Sequence, residues 1–215
     1  INAGLEVFSK NDYRHAVTDE IARKAGISKG LLFYYFHNKK SLYLYLFDYC
    51  ASLIINQVMG EEPGGSGDEP ASGGNEPGGK AARWETVTDF FELLEMAAEA
   101  KIKVLEKTPY LADFMVRGYY SEDGIVKEDL NRATMESVSS AFRKYFRNVD
   151  YSKFKPDVPP MEIYEMLVWM TEGYLHDKRK SNASISMKEI MEKFYVWEKW
   201  LKQIAYKEEY QKTEA

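Results

Sequence analysis

The sequence lacks the features that mark secreted and membrane-spanning proteins. Its 215 residues include one cysteine, Cys50, so no internal disulfide can form, and this favours a reducing compartment such as the cytoplasm. No apolar run is as long as a membrane-spanning helix requires, and no signal peptide is recognisable. We therefore expect a cytoplasmic protein with no membrane partner. Because the chain opens at Ile1 inside an apparent helix, we also expect that residues precede it.

Catalytic and metal-binding patterns are also missing from the sequence. The three histidines, His15, His37 and His176, are far apart, and none has a second metal ligand at helical spacing. The sequence has no nucleophile elbow, phosphate loop or dinucleotide fingerprint. We therefore expect no catalytic residue, no metal, no cofactor and no enzymatic activity. An enzyme built on an all-α body is kept as a less favoured class.

Charge is divided unevenly along the chain. The whole sequence has a net charge of −5. Residues 1–50 contain seven Lys or Arg and five Asp or Glu, whereas residues 84–215 contain twenty Lys or Arg and twenty-four Asp or Glu. A mildly basic N-terminal part on an acidic body can bind nucleic acid through one face only. The charge pattern therefore permits DNA binding at the N-terminal end.

Helical periodicity dominates the chain, and no hairpin or alternating strand pattern is found. Apolar residues recur at helical spacing from Trp84 until Pro109 ends the run, and further helices are predicted over residues 125–146, 161–175 and 187–206. Residues 60–80 are rich in Gly and Pro, which predicts a flexible linker. The fold class predicted is all-α.

Residues 18–42 form the most informative stretch, TDEIARKAGISKGLLFYYFHNKKSL. Two short helical patterns meet at a turn, the spacing of a helix-turn-helix, and we expect Ile21, Ile27 and Leu32 to close the core between them. Gly26 suits the left-handed end of the first helix, and Ser28 suits the N-cap of the second. Asn38 suits the N-cap of the helix that follows. The second helix would enter the DNA major groove by its N-terminal residues.

The stretch from Ala3 to Phe47 resembles the DNA-binding domain of the tetracycline-repressor (TetR) family. The family segment I-A-x-x-A-G-V-S-x-G is matched by residues 21–30, and an aromatic run and a Lys follow it. The resemblance implies a three-helix helix-turn-helix domain over residues 1–47 and a helical effector-binding and dimerisation domain over residues 48–215. It implies a DNA-binding transcription regulator, most often a repressor released by a small hydrophobic effector.

An alternative is a helical ligand-binding or interaction module without DNA binding. Two departures from the family pattern favour it. Leu31 stands where the family often has Thr, and Phe33 stands where a Tyr hydroxyl is frequent.

Candidate DNA contacts follow from the helix-turn-helix geometry. Lys29 is the candidate for contact with base edges. Hydroxyl groups, backbone amides and a second Lys are candidates for phosphate contacts: Thr18, Ser28, Gly30, Tyr34, Tyr35 and Lys39.

The last two predicted helices carry broad apolar faces. A heptad-like seam on the final helix favours packing in a four-helix bundle with a second copy, as the resemblance also implies. The expected dimer interface is Ile190, Phe194, Trp197, Leu201 and Ile204. The resemblance further implies an effector pocket in the body, and Met and aromatic side chains suit an apolar ligand. The expected pocket residues are Phe91, Phe114, Met115, Tyr119, Trp169, Met170 and Tyr174.

Overall fold

The structure is a computed structural model that describes residues 1–60, 84–181 and 186–211. The predicted linker lies, from residue 61 onward, outside the described residues. The α-helices are α1 (Asn2–Lys10), α2 (Thr18–Ala25), α3 (Lys29–Phe36), α4 (Lys39–Met59), α5 (Phe90–Lys107), α6 (Pro109–Tyr119), α7 (Lys127–Tyr145), α8 (Pro160–Lys180) and α9 (Met187–Ala205).

The all-α prediction is confirmed. The described ranges contain no strand, only an isolated antiparallel bridge between Phe154 and Tyr206. The helical run predicted from Trp84 is interrupted: residues 84–86 are helical, residues 87–89 are not, and α5 begins at Phe90. Asp89 explains the difference, because its carboxylate accepts hydrogen bonds from the amides of Phe91 (3.0 Å) and Glu92 (3.2 Å) and so caps the helix there.

The chain divides into two compact units. Unit 1 contains residues 1–58 and 103–139, and unit 2 contains residues 59–102 and 140–215. α5 and α7 each contribute residues to both units, with the divisions after residues 102 and 139. The predicted boundary between a DNA-binding domain (1–47) and a second domain (48–215) stays a prediction.

The core of unit 1 is aromatic. Phe114 of α6 lies against Phe8, Tyr43 and Phe47, with ring centroids 5.1–6.4 Å apart. Gly118, one turn further along α6, permits this close approach, because a Cβ atom there would lie 2.7 Å from Cε2 of Phe47. Helices α1, α4 and α6 therefore share one core.

α4 combines length and apolar character. It is the one helix, within the described ranges, whose length and mean hydropathy of 1.2 would suit a membrane span. More than half of it is buried inside the protein, as in the core helix of a globular fold. Cys50 lies on this helix, fully buried, and burial raises the pKa of its thiol to about 12.

Unit 2 has an aromatic core of its own. Phe90 stacks on Phe146 with centroids 4.4 Å apart, and Phe91 and Phe154 both contact the ring of Tyr206 edge-on. The Tyr206 hydroxyl accepts a hydrogen bond from the Phe90 amide (3.2 Å). These contacts hold the start of α5 to the residue that follows α9.

Candidate DNA-binding surface

The turn between α2 and α3 has the geometry that the sequence predicts. Gly26 ends α2 with φ +69°, in the left-handed region, and the Ile27 amide donates to the Ala22 carbonyl (3.1 Å). Ser28 caps α3, its hydroxyl accepting from the Leu31 amide (3.1 Å). Gly26 and Ser28 therefore fix where α2 stops and where α3 starts.

The core between α2 and α3 is smaller than predicted. Ile21 and Leu32 are buried, but Ile27 is 36% exposed. The prediction that Ile27 closes this core is therefore wrong, because the turn points its side chain partly into solvent.

α3 presents a mixed polar and aromatic surface. Only Leu32 is buried among its residues, whereas Leu31 is 43%, Tyr34 75% and Tyr35 67% exposed. The rings of Tyr34 and Tyr35 meet edge to face, 5.4 Å apart. Leu32 thus anchors α3, while the first turn of α3 and both tyrosines remain accessible to solvent.

Lys29, the candidate for base contact, lies at the first position of α3 and is more than half exposed. Its ammonium forms an ion pair with Asp19 of α2 (2.6 Å), and both side chains remain accessible. An exposed pair of this kind contributes little to stability. Its effect here is to hold the Lys29 side chain over the start of α2. Asp19 could not be predicted from the sequence as a partner of Lys29, because the pair joins two helices.

The other predicted phosphate contacts occupy the ends of helices. Thr18 is the half-buried first residue of α2. Ser28 and Gly30 lie exposed at the N-terminal end of α3, where free amides and the helix dipole favour anions. The structure therefore brings Ser28, Lys29 and Gly30 together in one turn.

Lys39, a candidate for phosphate contact, is engaged within its own chain. Its ammonium donates to the Arg14 carbonyl (3.1 Å) and lies over the Tyr13 ring, 4.9 Å from the centroid. Burial lowers the pKa of Lys39, against smaller opposite effects of Asp12 and Asp123. Its role in phosphate contact stays a prediction, and the structure gives it a second role in holding the segment that precedes α2.

The joint between α3 and α4 is strained. His37 ends α3 with φ 60° and ψ −47°, and the Asn38 amide donates to the Phe36 carbonyl (2.6 Å). This is a γ-turn centred on His37, a conformation that side chains rarely adopt. Asn38 then caps α4 by accepting from the Ser41 amide (2.8 Å), as the sequence predicts.

The predicted effector residues are divided between the two units. Phe114, Met115 and Tyr119 belong to unit 1, and the other four belong to unit 2. Phe91 and Phe114 are fully buried in their own aromatic cores, and Trp169 is 59% exposed. Within unit 2, the Tyr174 ring contacts Trp197 at 6.0 Å. The assignment of these seven residues to a pocket stays a prediction.

The predicted dimer residues also differ in exposure. Phe194 and Leu201 are buried within the chain, Ile190 and Trp197 are half-buried, and Ile204 is 51% exposed. Three accessible apolar residues of α9 instead form a stripe at a spacing of four, which we call the α9 stripe. It consists of Val196, Trp200 and Ile204.

The described part of the chain contains no group of three or more His, Cys, Asp or Glu residues that could hold a metal ion. Glu198 of α9 is an acid whose side chain is buried. Burial, and then the nearby Glu95 of α5, raise its pKa to about 8. A charged Lys202 opposes this shift only partly.

Residues 1–46 match the family model described as bacterial regulatory proteins, tetR family. A search of curated proteins finds no match.

Several solved structures are similar over nearly the whole chain. One is the fatty acid degradation regulator FadR from Bacillus halodurans, with a TM-score of 0.67, 14% identity and coverage of 93% of this chain and 94% of that one. Another is TylP, a TetR regulator from Streptomyces fradiae, with a TM-score of 0.65, 14% identity and coverage of 97% of this chain and 85% of that one. A third is SmeT, the repressor of the Stenotrophomonas maltophilia multidrug efflux pump SmeDEF, with a TM-score of 0.62, 13% identity and coverage of 96% of this chain and 88% of that one. At such identities the likeness shows a shared fold.

Proposed function

We propose that the chain, whose residues 1–46 match the tetR-family model, is a TetR-family DNA-binding regulator. We further propose that it is a cytoplasmic, homodimeric repressor released by a small hydrophobic effector. The observation that carries the proposal is the α3 surface. Its first turn is capped by Ser28 and presents Lys29 and Leu31, while Leu32 anchors the helix below. A helix docked in this way reads bases with its N-terminal residues.

Each exposed group on α3 suits a part of duplex DNA. Lys29 can donate to guanine N7 and O6, and Leu31 can contact a thymine methyl group. The hydroxyls of Tyr34 and Tyr35 can donate to phosphates. Leu31, which departs from the family pattern, is therefore compatible with base recognition and does not by itself favour the alternative module without DNA binding.

Two-fold binding requires a second copy of the chain. Successive major-groove faces lie about 34–36 Å apart, so two recognition helices must be held at that spacing. The α9 stripe and Trp169 of α8 are accessible apolar surfaces on the last two helices. Burying them against the same helices of a second copy would remove this apolar surface from water.

Release by an effector requires a ligand that binds one spacing of the recognition helices better than the other. Phe, Tyr and Met side chains of the body suit an apolar ligand. Such a regulator needs no chemical step, so we propose that the protein is not an enzyme.

The test begins with selection of bound sites from random duplex DNA. Affinity for the selected operator should fall steeply with salt. Lys29→Ala should cost about 1–3 kcal/mol and relax base preference at one position in each half-site. Lys188→Ala is the matched control, because Lys188 lies at the start of α9 and is highly exposed. Failure to select any sequence would support the module without DNA binding.

The effector part of the proposal needs a separate measurement. Ligands found by thermal-shift screening should weaken operator binding by at least about fivefold, the lower end of ordinary allosteric coupling. Ligands that raise the melting temperature but leave operator affinity unchanged would overturn release by an effector, while DNA binding would still stand.

A further inference from the structure

Two ion pairs bracket the helix-turn-helix and join it to one short stretch of the chain, residues 123–129. Arg14 lies four residues before α2 begins, and its Nε donates to a carboxylate oxygen of Asp123 at 2.7 Å. Lys40 lies four residues after α3 ends, and its ammonium lies 2.6 Å from a carboxylate oxygen of Asp129. All four residues belong to unit 1. We call these two ion pairs the α7 clamp.

The acidic side of the α7 clamp is fixed in place. The second carboxylate oxygen of Asp123 accepts from the Ile125 amide (2.9 Å), and the Asp123 carbonyl accepts from the amide of Lys127, the first residue of α7 (2.9 Å). The Asp123 side chain is only 10% exposed. Val126 and Leu130 are buried and anchor the start of α7. A carboxylate that is already ordered loses little conformational entropy when it pairs with a cation.

The basic side of the α7 clamp is joined by a hydrogen bond. The Lys39 ammonium donates to the Arg14 carbonyl (3.1 Å), so the segment before α2 is linked to the start of α4. Lys39 precedes Lys40 in the chain. The two ion pairs and this hydrogen bond therefore form one closed ring of contacts between the flanks of the helix-turn-helix and the start of α7.

The helix-turn-helix has little apolar anchorage of its own. The buried residues of α2 are Ile21 and Ala22, and the buried residue of α3 is Leu32. An element with so few buried side chains is easily displaced, so contacts at its flanks influence the direction of α3. Exposed ion pairs contribute little to the free energy of unfolding. Folding alone therefore explains poorly why both flanks are paired with the same stretch.

We propose that Asp123 and Asp129 are positioning residues, which through the α7 clamp hold α3 in the orientation that reads base edges. The proposal rests on the DNA-binding function proposed above. Neither carboxylate would touch DNA, because a negative charge repels phosphates. The α7 clamp would act on specific binding, in which base contacts need accurate placement, and not on the sequence-independent attraction between cations and phosphates.

The test compares operator affinity with affinity for non-specific duplex DNA, using the full chain. Asp123→Asn/Asp129→Asn removes both carboxylate charges, while the amide oxygen at position 123 still accepts from the Ile125 amide. Operator affinity should fall at least about tenfold relative to non-specific affinity, comparable with the loss of one base contact. Non-specific affinity should itself stay equal or rise, because the variant is less negative and Arg14 and Lys40 are released to phosphates.

The matched control is Glu122→Gln/Glu128→Gln, which removes the same charge from the same part of the chain. Glu122 pairs with Lys127, and Glu128 is exposed in the first turn of α7. The control should raise both affinities alike and keep their ratio. An equal ratio in the control and in Asp123→Asn/Asp129→Asn would overturn the proposal, because charge alone would then explain the effect.

Exchange of the two charges separates orientation from folding. Lys40→Glu and Asp129→Lys should each lower the ratio of operator to non-specific affinity, and the double variant should recover most of it by forming the reversed ion pair. All three are made together with Arg132→Gln, because Arg132 also pairs with Asp129 and would repel a lysine there. Circular dichroism should show equal helicity. A double variant that recovers nothing would overturn the role of the Lys40–Asp129 pair.

A measurement without DNA keeps this proposal apart from the DNA-binding function. Hydrogen exchange of the amides in residues 18–36 should be at least about twofold faster in Asp123→Asn/Asp129→Asn than in the parent, and unchanged in the control. Faster exchange in a chain that selects no operator would leave the α7 clamp standing and remove DNA binding. Unchanged exchange in such a chain would overturn both. Where an operator is selected, an unchanged affinity ratio would overturn the α7 clamp alone.

Discussion

Arg117 of α6 donates from Nε to the main-chain carbonyl of Ser9 in α1, at 2.6 Å. The two residues are 108 positions apart in sequence. Ser9 lies in the last turn of α1, where carbonyl groups lack partners within the helix and attract positive charge. Arg117 of α6 thus supplies the hydrogen-bond donor that the Ser9 carbonyl lacks within α1.

The first prediction concerns this bond. Arg117→Met keeps most of the side-chain stem and removes the donor, so the free energy of unfolding should fall by about 1 kcal/mol. Arg132→Met is the control, because Arg132 pairs with Asp129 on the exposed surface of α7 and such pairs contribute little. Equal chemical-denaturation midpoints for the two variants would show that the α1–α6 bond contributes nothing.

The γ-turn at His37 gives the second prediction. His37→Gly should raise the free energy of unfolding by about 1 kcal/mol, because glycine adopts φ 60° without steric cost. His37→Ala retains a Cβ atom and should leave stability nearly unchanged. Thermal melts of the three proteins would test the strain. A glycine variant no more stable than the alanine variant would contradict it.

Glu198 gives a prediction for the pH dependence of stability. Its pKa is about 8 in the folded protein against an ordinary 4.5, so the folded state binds more protons between these values. Stability should therefore fall as pH rises from about 4.5 to about 8. Glu198→Gln should remove this slope and raise the free energy of unfolding at neutral pH by about 1–3 kcal/mol.

The matched control for that variant is Glu192→Gln, an exposed acid on the same helix. It should leave the pH profile of the parent unchanged. Urea denaturation at several pH values would measure both variants. A parent protein that becomes more stable from pH 5 to pH 8 would show that Glu198 does not dominate the profile in this range.

The last prediction concerns assembly. Trp200 is 54% exposed at the centre of the α9 stripe, so Trp200→Glu should dissociate the dimer and raise its dissociation constant more than about tenfold without loss of helicity. Lys188→Glu, at the start of α9, should remain dimeric. Light scattering at micromolar concentration would separate the two. A parent that is itself monomeric would remove the dimer from the proposal.

Sequence patterns gave the local elements well. Gly26, Ser28 and Asn38 act within a few residues of their own positions, so their capping roles could be read directly from the chain. The start of α5 was missed because apolar spacing continues backward from Phe90 to Trp84. The cap at Asp89, which decides the start, is a single residue within that run.

The exposure of individual side chains, and the pairing of residues on different helices, could not be predicted from local sequence patterns. An apolar seam does not say whether it is covered by its own chain or by a second copy. The seam predicts Phe194 and Leu201 at a dimer interface, and the structure shows that both are buried within the chain. The Lys29–Asp19 ion pair depends on how α2 and α3 are placed in space, and no periodicity along the sequence carries that information.

The single cysteine has a practical consequence. A fully buried thiol with a pKa of about 12 has almost no thiolate at neutral pH, and the thiolate is the form that reacts. Alkylation of Cys50 must then wait until α4 opens. Since the chain has no second thiol, the rate at which Cys50 is labelled measures the rate at which unit 1 opens. The single thiol thus reports how fast the unit that contains α3 opens.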